Sequence, residues 1–131
     1  MIRLLADHNI PQQAELIWSV FEPNEWLALG VSALLQFRDI GLDVSANDRQ
    51  VWQACQAHSL LLLTNNRNAN DDDSLTAVIA ALNHPAALPV LTIGSADRVA
   101  EYSYREDCAY SIGDIATRIE QLLGTARLFL P

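Results

Sequence analysis

Leu60-Leu61-Leu62-Leu63-Thr64 decides the fold. Four consecutive leucines have the length of a strand rather than a helix, and no polar residue alternates with them. Such a run fits a central parallel strand covered on both faces. Immediately before it, Asn47 reads as a helix cap and Asp48 as the first-turn acid that a helix dipole favours, so a helix is expected to about His58. After it, a polar stretch from Asn65 leads to Asp73-Ser74, a second cap, and a helix from Leu75 to about Asn83 that Pro85 ends. Further out, Met1 to Ala6 reads as a short buried strand and Pro89 to Gly94 as another. Ile10 to Phe21 carries an apolar helical stripe that Pro23 is expected to stop, and a strand is expected near Ala33 to Phe37. Ile112, Ile115, Ile119, Leu122 and Leu123 predict a last helix from about Cys108 to Leu123, ended by Gly124, with Arg127 to Leu130 as one more strand. Strands alternating with helices argue a three-layer α/β/α domain with a mainly parallel central sheet, single over residues 1–131.

Composition narrows the chemistry. Half of the residues are hydrophobic and 18% charged, which is enough apolar material for a folded core. The net charge is −8, and all eight basic residues are arginine. Without lysine there is no phosphate-loop lysine, no Schiff-base chemistry and no late lysine of the kind a receiver domain needs. An acidic chain is also a poor general nucleic-acid binder, so any nucleic-acid role rests on a local site with metal ions or clustered arginines. No apolar run approaches the roughly 20 residues of a membrane-spanning helix, and no signal peptide is visible, so a cytoplasmic location is expected. Cys55 and Cys108 are expected to be buried and reduced.

The candidate site lies at the strand exits. In a parallel α/β sheet, ligands bind outside the carboxyl ends of the strands. Three exits are polar: Asp7, His8 and Asn9; then Thr64 through Asn66, Arg67, Asn68 and Asp71 to Asp73; then Ser95 to Arg98. Asp48 begins a helix whose amino end can face the same edge. Acids with hydroxyls and amides between them are the ligand type for Mg2+ or Mn2+, which activate water and stabilise a phosphodiester in transition. Other readings stay open at single residues. Asp7 can be a strand-end cap for the next helix, Asp48 a dipole partner, Asp71 to Asp73 a solvated turn, His8 a bystander or substrate contact, and Arg67 and Arg98 surface ion pairs. Trp18, Trp26 and Trp52 read as core.

Leu4 to Pro11, with Phe37-Arg38-Asp39-Ile40-Gly41-Leu42, Ser45-Ala46-Asn47-Asp48 and Leu61 to Asn68, resembles the small single-domain PIN-like proteins of bacteria. The resemblance runs by motif from Met1 to Ser74 and beyond that only in layout. It implies a metal-dependent endoribonuclease, often the toxin half of a toxin-antitoxin pair, with an RNA substrate and an antitoxin-type protein or a second copy of the chain as partner. It implies Asp7 and Asp48 as the first two ligands of Mg2+ or Mn2+; apart from the resemblance, the run Asp71 to Asp73 can fold back, with Asp73 as the expected further ligand. Asn66 would act beside them in catalysis, and His8, Asn9, Thr64, Arg67, Asn68 and Arg98 would contact substrate. The family pattern has an aspartate where this chain has Asn66, often an acid where it has Asn68, and often Glu in place of His8. Two divalent ions bring about four positive charges against the two negative ones of Asp7 and Asp48. A silent PIN-like module that binds RNA or protein is the alternative.

Overall fold

The computed structural model describes residues 1–68 and 72–131; Asp71, one of the acids expected near the site, lies outside the described residues. Five strands, β1 (Ile2–Ala6), β2 (Val31–Leu35), β3 (Leu60–Thr64), β4 (Val90–Thr92) and β5 (Arg127–Phe129), form one sheet in the order β2-β1-β3-β4-β5. Every pairing is parallel, with Leu5 opposite Leu62 and Thr64 opposite Thr92. Among the described residues six α-helices, α1 (Pro11–Trp18), α2 (Pro23–Ala28), α3 (Asp48–His58), α4 (Leu75–Leu82), α5 (Tyr102–Thr117) and α6 (Ile119–Leu122), and two 3-10 helices, Phe37–Ile40 and Asp97–Ala100, connect them.

The leucine run explains itself once both faces are covered. Successive strand side chains point to opposite faces. Leu61 and Leu63, with Leu4, Ala6 and Leu91, pack on α1, α2 and α5, whereas Leu60 and Leu62, with Leu5 and Val90, pack on α3 and α4. Neither face meets water, so no polar residue is tolerated until Thr64. Each of these leucines is at most 2% exposed, and burying one contributes roughly 2 kcal/mol of transfer free energy.

Three boundaries differ from the sequence expectation. Pro23 does not simply stop a helix. The first helix ends at Trp18, and Pro23 opens α2 at a position whose N–H no helix bond needs. Glu22 and Glu25 close a capping box over it, the Glu22 N–H donating to Glu25 Oε1 at 3.0 Å. The turn lets Trp26 become fully buried, stack on Trp18 with ring centroids 4.7 Å apart, and donate its indole N–H to the Trp18 carbonyl. The second strand begins at Val31, earlier than Ala33, because Gly30 at φ 91° turns the chain directly into the sheet. The last long helix begins at Tyr102 rather than Cys108 and stops at Thr117, with α6 following. Its buried stripe runs through Tyr104, Cys108, Ala109, Ile112, Ile115 and Ala116, and the small and polar members hid its first turns.

Both cysteines are free and buried. Burial, helped by the Asp7 charge, pushes the Cys55 thiol up to about 12, and burial pushes Cys108 up to about 11. At pH 8 the native thiols are expected to react with an aromatic disulfide reagent at least about 100-fold more slowly than in the unfolded chain, since the thiolate is the nucleophile. A fast phase in the native protein would contradict this. Among the described residues no helix is long and apolar enough to cross a membrane.

Candidate active site

Strand order reverses between β1 and β3: the chain leaves β1 for β2 on one side and returns past β1 to β3 on the other. Such a switch point opens a crevice at the carboxyl ends of the two strands. Asp7 follows β1 directly, its N–H donating to the Leu63 carbonyl at 2.9 Å, and it is only 7% exposed. A buried carboxylate is costly unless hydrogen-bonded. Here Thr64, the last residue of β3 and fully buried, donates its hydroxyl to Asp7 Oδ2 at 2.6 Å. The same hydroxyl oxygen accepts the Asn66 N–H at 3.0 Å. Asn66 then reaches α3, its Nδ2 lying 3.3 Å from both Asp48 oxygens. Asp48 is held at the first position of α3 by the capping box below it, in which Asn47 Oδ1 accepts the Gln50 N–H at 2.8 Å and Gln50 Oε1 accepts the Asn47 N–H at 2.9 Å. Hydrogen bonds therefore run in one line from Asp7 through Thr64 and Asn66 to Asp48.

This line decides one open point. The cap position of α1 is Ile10, with no side-chain cap bond, so Asp7 serves the β1–β3 crevice rather than the helix. Exposed His8 lies beside it, Nδ1 3.4 Å from Asp7 Oδ1, with its ring 5.3 Å from that of Phe37. Asn9 is exposed in the same turn. Arg67, exposed, donates to the Gly94 carbonyl at 2.7 Å and so ties the β3 exit to the β4 exit. Asn68 donates its N–H to Asn66 Oδ1 at 2.9 Å, which orients the carboxamide with its nitrogen toward Asp48. Arg98 stands apart from this group of bonds: it pairs with Glu101 at 3.4 Å and lies 4.6 Å from the Tyr104 ring centroid. Asp72 and Asp73 are exposed in the turn before α4, where Ser74 is the cap, accepting the Ala77 N–H at 3.2 Å. Among the described residues, no three of His, Cys, Asp or Glu gather as a group able to hold a metal ion.

Sequence reasoning missed Arg127. Its side chain is half-buried, and, opposite Val90 and bonded to Thr76, it lies on the α3–α4 side of the sheet. Nη1 donates to the Asn66 carbonyl at 2.7 Å and to Thr92 Oγ1 at 2.8 Å, and Nη2 to Thr76 Oγ1 at 3.3 Å. Burial lowers its pKa from the ordinary guanidinium value, the Asp48 charge raises it, and the Arg67 charge lowers it. An arginine remains charged under such opposing effects. The only signal in the sequence was an arginine opening an apolar terminal strand. A groove of about 550 Å³ between α2 and α5, lined by Phe21, Leu29, Tyr110 and Gly113, contains none of these residues. Compared with known proteins, the chain matches no family model, no curated protein and no solved structure.

Proposed function

We propose that this chain is a PIN-like domain and acts in the cytoplasm as an endoribonuclease dependent on Mg2+ or Mn2+, as the toxin half of a pair with an antitoxin-type protein. The observation that carries this reading is the line Asp7–Thr64–Asn66–Asp48 across the switch point of a parallel sheet. Two carboxylates joined through a hydroxyl and an amide offer oxygen ligands of the type these ions take. Their charge balances one divalent ion and falls short of two, and Asn66 adds none.

Asp7 and Asp48 would hold that ion, which when bound supplies an activated water and charge for a phosphodiester in transition. The protein's own residues prepare the ground. Thr64 locks Asp7 Oδ2 by donating to it, and Asn66 keeps the Asp48 carboxylate turned toward the same crevice. Arg67, exposed beside the β3 exit, grips an RNA phosphate, a contact suited to its planar fork. His8 and Asn9 meet the substrate at the β1 side.

A second reading has its own observation. The Asn66 amide nitrogen already faces both Asp48 oxygens, and Arg127 is bound to the same residue, which suits a silent module that binds RNA or a protein without cutting. Cleavage of labelled single-stranded RNA with Mg2+, Mn2+ or a chelator, beside Asp48→Asn, separates the two. Metal-dependent cutting that falls at least about tenfold in Asp48→Asn is expected, in keeping with loss of one of two ligands. No cutting, or equal cutting by both proteins, leaves the binding module.

A further inference from the structure

We propose that Arg127 is a resident cation of this site, a positioning residue whose charge, carried to Asp48 across Asn66, weakens divalent-ion binding and keeps the site to a single ion. The inference rests on the reading of Asp7 and Asp48 as an ion site. Asn66 is the bridge: its backbone carbonyl accepts from Arg127 Nη1 at 2.7 Å and its side chain donates to both Asp48 oxygens at 3.3 Å. The guanidinium is fixed in place by acceptors from three elements, the β3 exit, Thr92 in β4 and Thr76 in α4. A cation so held cannot swing away when an ion enters. The Asp48 charge raises the Arg127 pKa and the Arg67 charge lowers it, beside the larger lowering by burial, in keeping with the geometry of the bridge. The chain thus carries an amide where the family it resembles has an acid, and a guanidinium beside that amide.

Charge and latch make opposite predictions. If Arg127 were only a latch for the β3 exit, removing it would loosen Asn66 and Asp48 and weaken ion binding. As a resident cation, its removal relieves repulsion and tightens binding. Mn2+ titration of the full chain, read by water-proton relaxation, is expected to show Arg127→Gln binding Mn2+ about fivefold more tightly than wild type, the direction that removal of one partly screened positive charge gives. Arg127→Lys keeps the charge and loses the fork, and is expected to bind within about twofold of wild type. Tighter binding by Arg127→Gln supports the proposal even if wild type cuts no RNA, an outcome that would sink the nuclease reading alone. Equal, weaker or absent binding by Arg127→Gln overturns the proposal. Should Arg127→Gln not fold, Arg127→Met, which also removes the charge, is titrated in its place: tighter Mn2+ binding than wild type supports the proposal, and equal or weaker binding overturns it.

Discussion

Asp7→Asn is expected to lose metal-dependent RNA cleavage by at least about 100-fold, equivalent to about 2.7 kcal/mol of transition-state stabilisation, while keeping its fold. The fold survives because asparagine has the same shape and its carbonyl oxygen can still accept the Thr64 hydroxyl that now lies 2.6 Å from Asp7 Oδ2. A charge-assisted hydrogen bond becomes a neutral one, a loss of roughly 1 kcal/mol, and the cost of burying a carboxylate disappears in partial compensation. The chemistry does not survive. Asp7 is one of only two carboxylates in the line, and replacing it leaves one negative charge to balance a divalent ion. Cleavage assays beside thermal melts check both halves. A variant retaining more than a tenth of wild-type cleavage, with its melting temperature unchanged, would remove Asp7 from the reaction.

Asn66→Asp is expected to act in the opposite sense on ion binding, tightening Mn2+ by about 10- to 100-fold, because a third carboxylate joins a site whose charge balances one ion. Without metal the same change is costly. The amide that donates to both Asp48 oxygens at 3.3 Å becomes an acceptor facing a like charge, so roughly 1–3 kcal/mol of stability is lost at neutral pH. The sign of the pH dependence follows from that repulsion. The new carboxyl has a folded-state pKa raised above its unfolded value, so the cost is absent below the ordinary carboxylate pKa, grows as pH rises through the raised value, and is full above it. Saturating Mn2+ binds only the folded state and is expected to restore the melting temperature. The expectation fails if Asn66→Asp binds Mn2+ no better than wild type or melts identically with and without metal at pH 7.

How much of this was legible in the chain follows from which interactions are local. The cap at Asn47, the cap at Ser74 and the continuous apolar strand Leu60–Thr64 depend on neighbours within a few residues, and each lies where the residues predict it. Pro23 was expected to stop a helix and instead opens one, because the same ring suits a first helical position, and the fit of Trp26 against Trp18 and Phe21 selects that use. The first turns of α5 were obscured because Tyr104, Cys108 and Ala109 do not mark an apolar stripe as isoleucines do. Asp7 and Asp48 were visible as acids at element ends, but that the Asp7 side chain meets Thr64 rather than capping the next helix is seen only in the bonds it makes.

By itself the sequence determined an α/β domain with strands buried on both faces and polar exits, because burial period and capping chemistry are properties of short segments. The tertiary structure alone decided the order β2-β1-β3-β4-β5, which sets β1 against β3 and thereby joins Asp7 to Thr64, and Thr64 to Asp48 through Asn66. It alone decided that Arg127, from the last strand, reaches the carbonyl of Asn66. Strand order and register are long-range choices that leave no periodic trace along the chain, so the convergence of side chains from β1, α3, the β3 exit and β5 can be known only once the sheet is assembled.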